Sequence, residues 1–119
     1  GAGEAHSTSS VIPHRGEIYL VSIPDDPKDR PAIIISSDVL NRFANDVVVV
    51  PLTTVEYTKF SARVPVTVGE GGLRKRSWAK CDQVTTVSKR RLVRGPFKGS
   101  VSATTLSEIE AAIRLALDL

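Results

Sequence analysis

The chain has 119 residues, 41% of them hydrophobic and 24% charged, with a formal net charge of +3. That length supports one modest core and not two, and no apolar run reaches the ~18 residues of a membrane-spanning helix. The single cysteine, Cys81, excludes an internal disulfide and a CxxC metal site, and His6 and His14 add too little for a zinc cage.

Residues 1–12, "GAGEAHSTSSVI", are small, polar and without period. They read as a frayed or non-native tail, leaving residues 13–119 as the domain. The stretch 16–23, "GEIYLVSI", is rich in β-formers and predicts a strand. Pro24 and Pro27 bound a polar loop. In "DRPAIIISSD" (29–38) an arginine and a proline precede an apolar run. Pro31 can open a strand but not sit at its centre. The runs 32–36 and 47–52, "VVVVPL", read as strands buried on two faces or as barrel strands. Between them a short helical turn begins after Ser37 or Asp38.

Residues 62–68 predict a strand broken or edged by Pro65, and the glycines of 69–73 predict a turn. Residues 77–84, "SWAKCDQV", alternate and read as a strand, and 91–99 can hold a short last one. The period then changes. Leu106, Ile109, Ile113, Ala116 and Leu117 follow three- and four-residue steps, the signature of an amphipathic helix. Thr105 with Glu108 matches a capping box, with Ser102 as a rival cap. The expectation is a mainly β (α+β) domain: five or six short antiparallel strands in a small barrel, with a C-terminal α-helix.

Charge is unevenly placed. Arg74, Lys75, Arg76, Lys80, Lys89, Arg90, Arg91, Arg94 and Lys98 face only Asp82 between residues 74 and 98, a net of +8. Such a field suits a polyanion, although a solvated basic face is the plain alternative.

Taken in order, "RGEIYLVSI", "RPAIIISSDVLNRF", "VVVVPLTT" and "GGL…SWAKCDQVTTVSKRRL" resemble the MazF/PemK toxins of bacterial type II toxin–antitoxin systems. The resemblance covers roughly residues 15–119 and implies an SH3-like, plasmid-maintenance-toxin barrel. It also implies a cytoplasmic homodimer that cleaves single-stranded RNA at short sequences without metal or other cofactor, and inhibition by a cognate antitoxin. Arg30 matches the family's Arg-Pro arginine, Thr53 closes its Val-x-Pro-x-Thr strand, and Arg15 belongs to its opening Arg-Gly. Two loops depart: the stretch before Arg30 is short, and "QVTT" (83–86) stands where the family often reads Gln-Ile-Arg-Thr.

The implied chemistry suits the residues. RNA brings its own nucleophile, the 2′-OH. An arginine presents a planar fork of donors to phosphate oxygens and stays charged; a threonine hydroxyl adds a neutral hydrogen bond. Arg30 and Thr53 are therefore the catalytic candidates, with Thr54 as the rival, since alternation lets only one of the two face the groove. Arginine is a poor base, so catalysis rests mainly on electrostatics and alignment. His14 is the alternative base, set against a plain exposed histidine. Arg15, Arg74, Lys75, Arg76, Lys80, Gln83, Arg90 and Arg91 are the RNA-binding candidates. Trp78, Phe43 and Tyr57 read equally as base-stacking or packing side chains, and Cys81 as a small hydrophobe. Two rivals stand beside the nuclease: a catalytically silent RNA- or antitoxin-binding barrel, and a gyrase poison of the CcdB kind. The chain lacks the Trp-Gly-Ile ending of the latter.

Overall fold

The computed structural model describes residues 12–56, 59 and 62–119. Apart from Ile12, the proposed tail lies outside the described residues, as does Tyr57. The elements are β1 (Ile18–Val21), β2 (Arg30–Ile34), α1 (Asp38–Phe43), β3 (Asp46–Thr53), β4 (Arg63–Val66), β5 (Ser77–Lys80), β6 (Thr85–Ser88), β7 (Leu92–Arg94) and α2 (Ala103–Leu117). Short 3-10 turns occupy Glu70–Gly72, Cys81–Gln83 and Lys89–Arg91.

The strands form one antiparallel sheet in the order β4-β5-β3-β2-β1-β7, with β6 also beside β3. This matches the expected mainly β (α+β) architecture with a C-terminal helix, and the small barrel is left open and not closed. The reason lies in β3, which pairs with β6 through Val49 and with β5 from Leu52. Val50 and Pro51 fall in the gap, and Pro51, lacking an N–H, leaves no donor stranded where the partner changes. Among the described residues no pairing joins β7 to β4 or β6. Two expectations are corrected. The strand predicted over 77–84 stops at Lys80, where the chain turns, and β6 brings the strand number to seven.

The apolar runs of β2 and β3 are explained by burial on both faces. Ile18, Ile33, Val50 and Leu52 pack with Ile109 and Ala112 of α2. Tyr19, Ala32, Ile34, Val47 and Val49 point the other way and pack with Val87 and Leu92. Alternate residues thus feed alternate clusters. α2 is held by its apolar stripe, in which Ile109 is wholly buried, a contribution of about 2 kcal/mol. Its N-cap is Ser102, not Thr105: the Ser102 hydroxyl accepts from the Thr105 N–H at 3.1 Å. α1 is capped by Ser37, the first of the two starts expected. Its Asn41 is buried and bonded to Ser36, which ties α1 to the sheet.

Candidate active site

Arg30 opens β2 and pairs with Val21 of β1. In the next ladder Ala32 faces Pro51 and Ile33 faces Val50. Continuing that antiparallel register by two residues sets Arg30 opposite Thr53 on one face of the sheet. Thr53 in turn pairs with Trp78 of β5, and Trp78 with Pro65 of β4. Directly opposed residues share a face, so Arg30, Thr53 and Trp78 form a row across three strands. Thr53 is half-buried, and its hydroxyl accepts from the Val55 N–H at 3.2 Å. Trp78 is half-buried too, with the Arg76 guanidinium 5.2 Å from its ring centroid. Thr54, one residue on, turns to the opposite face.

Lys80 lies two residues beyond Trp78 in β5 and so on the same face, paired with Arg63 of β4. Burial, then the Arg63 and Arg30 cations, pushes its ammonium below the usual lysine pKa, while Asp26 and Asp82 work against the shift. Arg63 Nη1 lies 3.6 Å from Asp82 Oδ1. This end of the sheet therefore gathers the cations Arg30, Lys80 and Arg63 with the carboxylates Asp26 and Asp82.

Asp26 is the member that sequence reasoning missed. Its Oδ2 accepts from Arg30 Nε at 3.1 Å and its Oδ1 from the Lys28 N–H at 3.0 Å. The Lys28 N–H above all, and Arg30 beside it, hold the Asp26 carboxyl below its ordinary pKa. The signal was present in the sequence as an Asx-type turn at Asp26–Lys28, which places a carboxylate beside the strand that follows. Arg30 is thus aimed from the loop as well as by Pro31. Its two Nη groups make no hydrogen bond among the described residues, and the side chain is partly exposed.

The remaining RNA-binding candidates do not form one stripe. Arg74 and Lys75 line a groove of about 700 Å³ together with Leu20, Pro31, Thr54, Arg94 and Phe97. Leu20 and Pro31 are paired neighbours of Val21 and Arg30, so this groove opens on the face opposite Arg30. Arg90 lines a second hollow with Lys89, Arg42 and Phe43. Arg91 reaches the Ser22 carbonyl at 3.4 Å, at the end of β1. Gln83 is exposed at the end of its turn. Arg15 stands apart, because its Nε donates to the Ile35 carbonyl at 3.1 Å and its Nη2 meets Glu110 of α2 at 2.5 Å. That guanidinium clamps α2 to the far end of β2. His14 is exposed beside Glu17 at the same far end. Cys81 is fully buried, and its thiol is pushed up to about 12 by burial, with Asp82 adding; it packs as a hydrophobe and not as a nucleophile. Among the described residues no cluster of His, Cys, Asp and Glu could hold a metal ion, and no helix is long and apolar enough to cross a membrane.

A family model described as the PemK-like, MazF-like toxin of type II toxin–antitoxin systems matches residues 14–117. The endoribonuclease MazF9 of Mycobacterium tuberculosis is 32% identical over 117 residues, which cover 88% of this chain and 96% of that protein. A solved mycobacterial endoribonuclease superposes with a TM-score of 0.75 at 29% identity, over 92% of this chain and 94% of that one. A mycobacterial endoribonuclease solved in complex with its cognate antitoxin gives 0.71 at 29% identity, over 91% and 95%. The extent of these matches supports an endoribonuclease over a gyrase poison or a silent barrel. The chain belongs to the PemK-like, MazF-like toxins of type II toxin–antitoxin systems, as a MazF-like endoribonuclease.

Proposed function

We propose that the protein cleaves single-stranded RNA without a metal, with Arg30 and Thr53 as the catalytic residues. The observation that carries this is their placement opposite one another on one sheet face, with the outer nitrogens of Arg30 free to bind. The 2′-oxygen loses its proton and bonds to the adjacent phosphorus. The bond to the 5′-oxygen breaks, and that oxygen takes a proton. Arg30 presents its Nη donors to the non-bridging oxygens, where negative charge grows in the transition state, and Thr53 adds a hydroxyl. Lys80 and Asp82 are the proton-carrying groups near this face, while Asp26 positions Arg30. Arg76, Lys80, Gln83, Arg90 and Arg91 hold phosphates and so position the strand without reading bases. Arg15, committed to Glu110, contributes to this only by fixing α2.

The partners follow from the same reading. The antitoxin-bound mycobacterial relative supports a cognate antitoxin for this chain. A homodimer suits a small open sheet with exposed apolar residues such as Val39, Leu40 and Phe43, and the cytoplasm is the compartment in which its RNA substrate lies. The test is single-turnover cleavage of an unstructured RNA in excess EDTA, with the ends of the products identified. Fragments carrying 2′,3′-cyclic phosphate and 5′-OH are expected. Dependence on added metal, or 5′-phosphate products, would overturn the mechanism.

A further inference from the structure

Lys89 is a buried cation without a partner. Only 8% of its surface is exposed, and among the described residues no hydrogen bond or ion pair engages its ammonium. A charge held out of water and unpaired is costly, and an anion that reaches it offsets that cost. The cleavage chemistry makes no use of it. Lys89 lines a hollow of about 470 Å³ between the end of α1 and the turn at Lys89–Arg91. Arg42 and Arg90 line the same hollow, and no acidic residue does. Asp46, the carboxylate next in sequence to Asn45 of the lining, forms no ion pair among the described residues. Beside the cations stands Phe43, 77% exposed, with the Arg42 guanidinium 5.6 Å from its ring centroid.

The two walls of the hollow are stitched together by backbone. The Lys89 N–H donates to the Asn45 carbonyl at 3.0 Å, and the Ala44 N–H to the Leu40 carbonyl at 2.8 Å. The Ser88 hydroxyl accepts from the Arg90 N–H at 3.2 Å, and Ser88 pairs with Asp46 across β6 and β3. The cations are therefore carried on a frame that stands before anything enters it.

The hollow is also remote from the cleaving face. It sits where β3 begins, and Thr53 closes that strand, roughly 25 Å away along the extended chain. None of its lining residues belongs to the groove of Arg74 and Arg94.

We propose that this hollow binds the doubly charged phosphate of a small phosphomonoester, held by Lys89 and Arg42 with Arg90 at the rim. Charge selects this ligand: a monoester brings about −1.5 to −2 near neutral pH, where a phosphodiester within a strand brings a single charge. Access selects it too. A terminal phosphate enters end-on to a buried ammonium, whereas a phosphate within a strand carries a sugar on either side. The volume lies within the roughly 300–1,000 Å³ of small-molecule sites. The open ring of Phe43 offers a face to a base, so a nucleoside monophosphate should bind more tightly than inorganic phosphate. A second copy of the same patch is disfavoured, because a two-fold contact would press Arg42 and Arg90 against their own images.

The experiment is calorimetric titration of the full chain, without RNA, by inorganic phosphate, adenosine 5′-monophosphate, adenosine 3′,5′-cyclic monophosphate and adenosine. The first two should bind. The cyclic nucleotide keeps base and sugar but is a singly charged diester, and should bind roughly tenfold or more weakly; adenosine should be weaker still. Lys89→Met keeps the buried stem, removes the charge, and should weaken the 5′-monophosphate roughly tenfold or more. Arg42→Gln changes an exposed side chain and should weaken it several-fold; it carries the test alone where the Lys89 change unfolds the chain. RNA cleavage by both folded variants should stay at the wild-type rate. If inorganic phosphate matches the nucleotide, the site stands with the free ion as its ligand. Equal affinity for the 5′ and cyclic nucleotides would overturn the proposal, as would binding that neither variant weakens, or no binding at millimolar concentration. So would an equal loss of RNA cleavage in the variants, which would make the hollow part of the RNA track, or an effect seen only on self-association in sedimentation. The titration contains no RNA, so the site and the cleavage reading fail separately.

Discussion

Asp26 holds Arg30 by its Nε, at 3.1 Å, and among the described residues neither outer nitrogen of the guanidinium makes a hydrogen bond. An arginine so held loses little entropy when it meets a phosphate. Arg30→Ala should therefore lower the single-turnover cleavage rate about a hundredfold or more, the cost of one preorganised donor group. Arg30→Lys should also fail substantially, since an ammonium cannot reproduce the fork. Thermal melts of both variants should stay close to wild type, because a partly exposed ion pair is worth at most about 1 kcal/mol. Full activity in Arg30→Ala would remove it from the mechanism.

Asp26 acts through Arg30 and is a positioning residue. Asp26→Ala should lower kcat by roughly tenfold and leave KM much closer to wild type, as expected when aim is lost but charge is kept. Asp26→Asn, which still accepts a hydrogen bond from Arg30 Nε, should recover most of that loss. A purely electrostatic role for the carboxylate would make the two variants equally poor.

Arg90 and Arg91 lie away from the catalytic row. Their joint replacement by alanine should weaken RNA binding for all sequences alike. In a log–log plot of affinity against salt, the slope should flatten by about one or two units. An unchanged slope would return them to the solvated surface.

Glu70 caps a helix to which it does not belong. Its Oε1 accepts from the Ser102 N–H at 2.6 Å, and its Oε2 accepts from the Thr105 hydroxyl. Burial works to raise its pKa, but the bonds from Thr105 and Ser102 outweigh it and hold the carboxyl below its ordinary value. A carboxylate depressed in the folded state stabilises fully above its unfolded pKa, about 4.3. That contribution drains away as pH falls through the lower folded value. Wild type should therefore exceed Glu70→Gln in stability at neutral pH by about 1 kcal/mol, with the gap closing in acid. Denaturant titrations across pH 2–7, roughly the carboxylate range, check this; a gap constant with pH would mean that the charge plays no part.

Gly95→Ala should lower stability by about 1–3 kcal/mol, because the new methyl group meets the Tyr19 ring and the backbone leaves its favoured region. A melt within error of wild type would show that the loop 94–97 yields easily.

Much of this was legible in the residues, for physical reasons. The runs 32–35 and 47–52 sort their side chains to two cores, which is why they lack alternation and still form strands. Ser37 sits before a short helical turn and caps it. The C-terminal stripe around Ile109 carries its own period. What escaped depends on contacts distant in sequence. Thr105 looked like a cap beside Glu108, but Glu70 arrives from another loop and leaves Ser102 as the cap. Thr85 and Thr86 are strand formers, but the turn at Cys81–Gln83 that makes them a separate strand on β3 shows only in the fold. The basic run 74–98 read as one field, yet folding deals Lys80 to the Arg30 face, Arg74 and Arg94 to the opposite groove, and Arg90 to a third place. For Asp26 the sequence offers the Asx-type turn with Lys28, but its bond to Arg30 declares itself only in three dimensions.

The open sheet leaves rims, and the rims differ from those of an aggregation-prone protein. β4 carries Pro65 in its middle, β6 runs directly into the turn at Lys89, and β7 lasts three residues before Gly95–Pro96. None offers an invading strand more than a few consecutive amides. Among the described residues, copies of this chain therefore find little template on which to extend one sheet into the next. A chain with such rims can stay concentrated without growing its sheet into fibres.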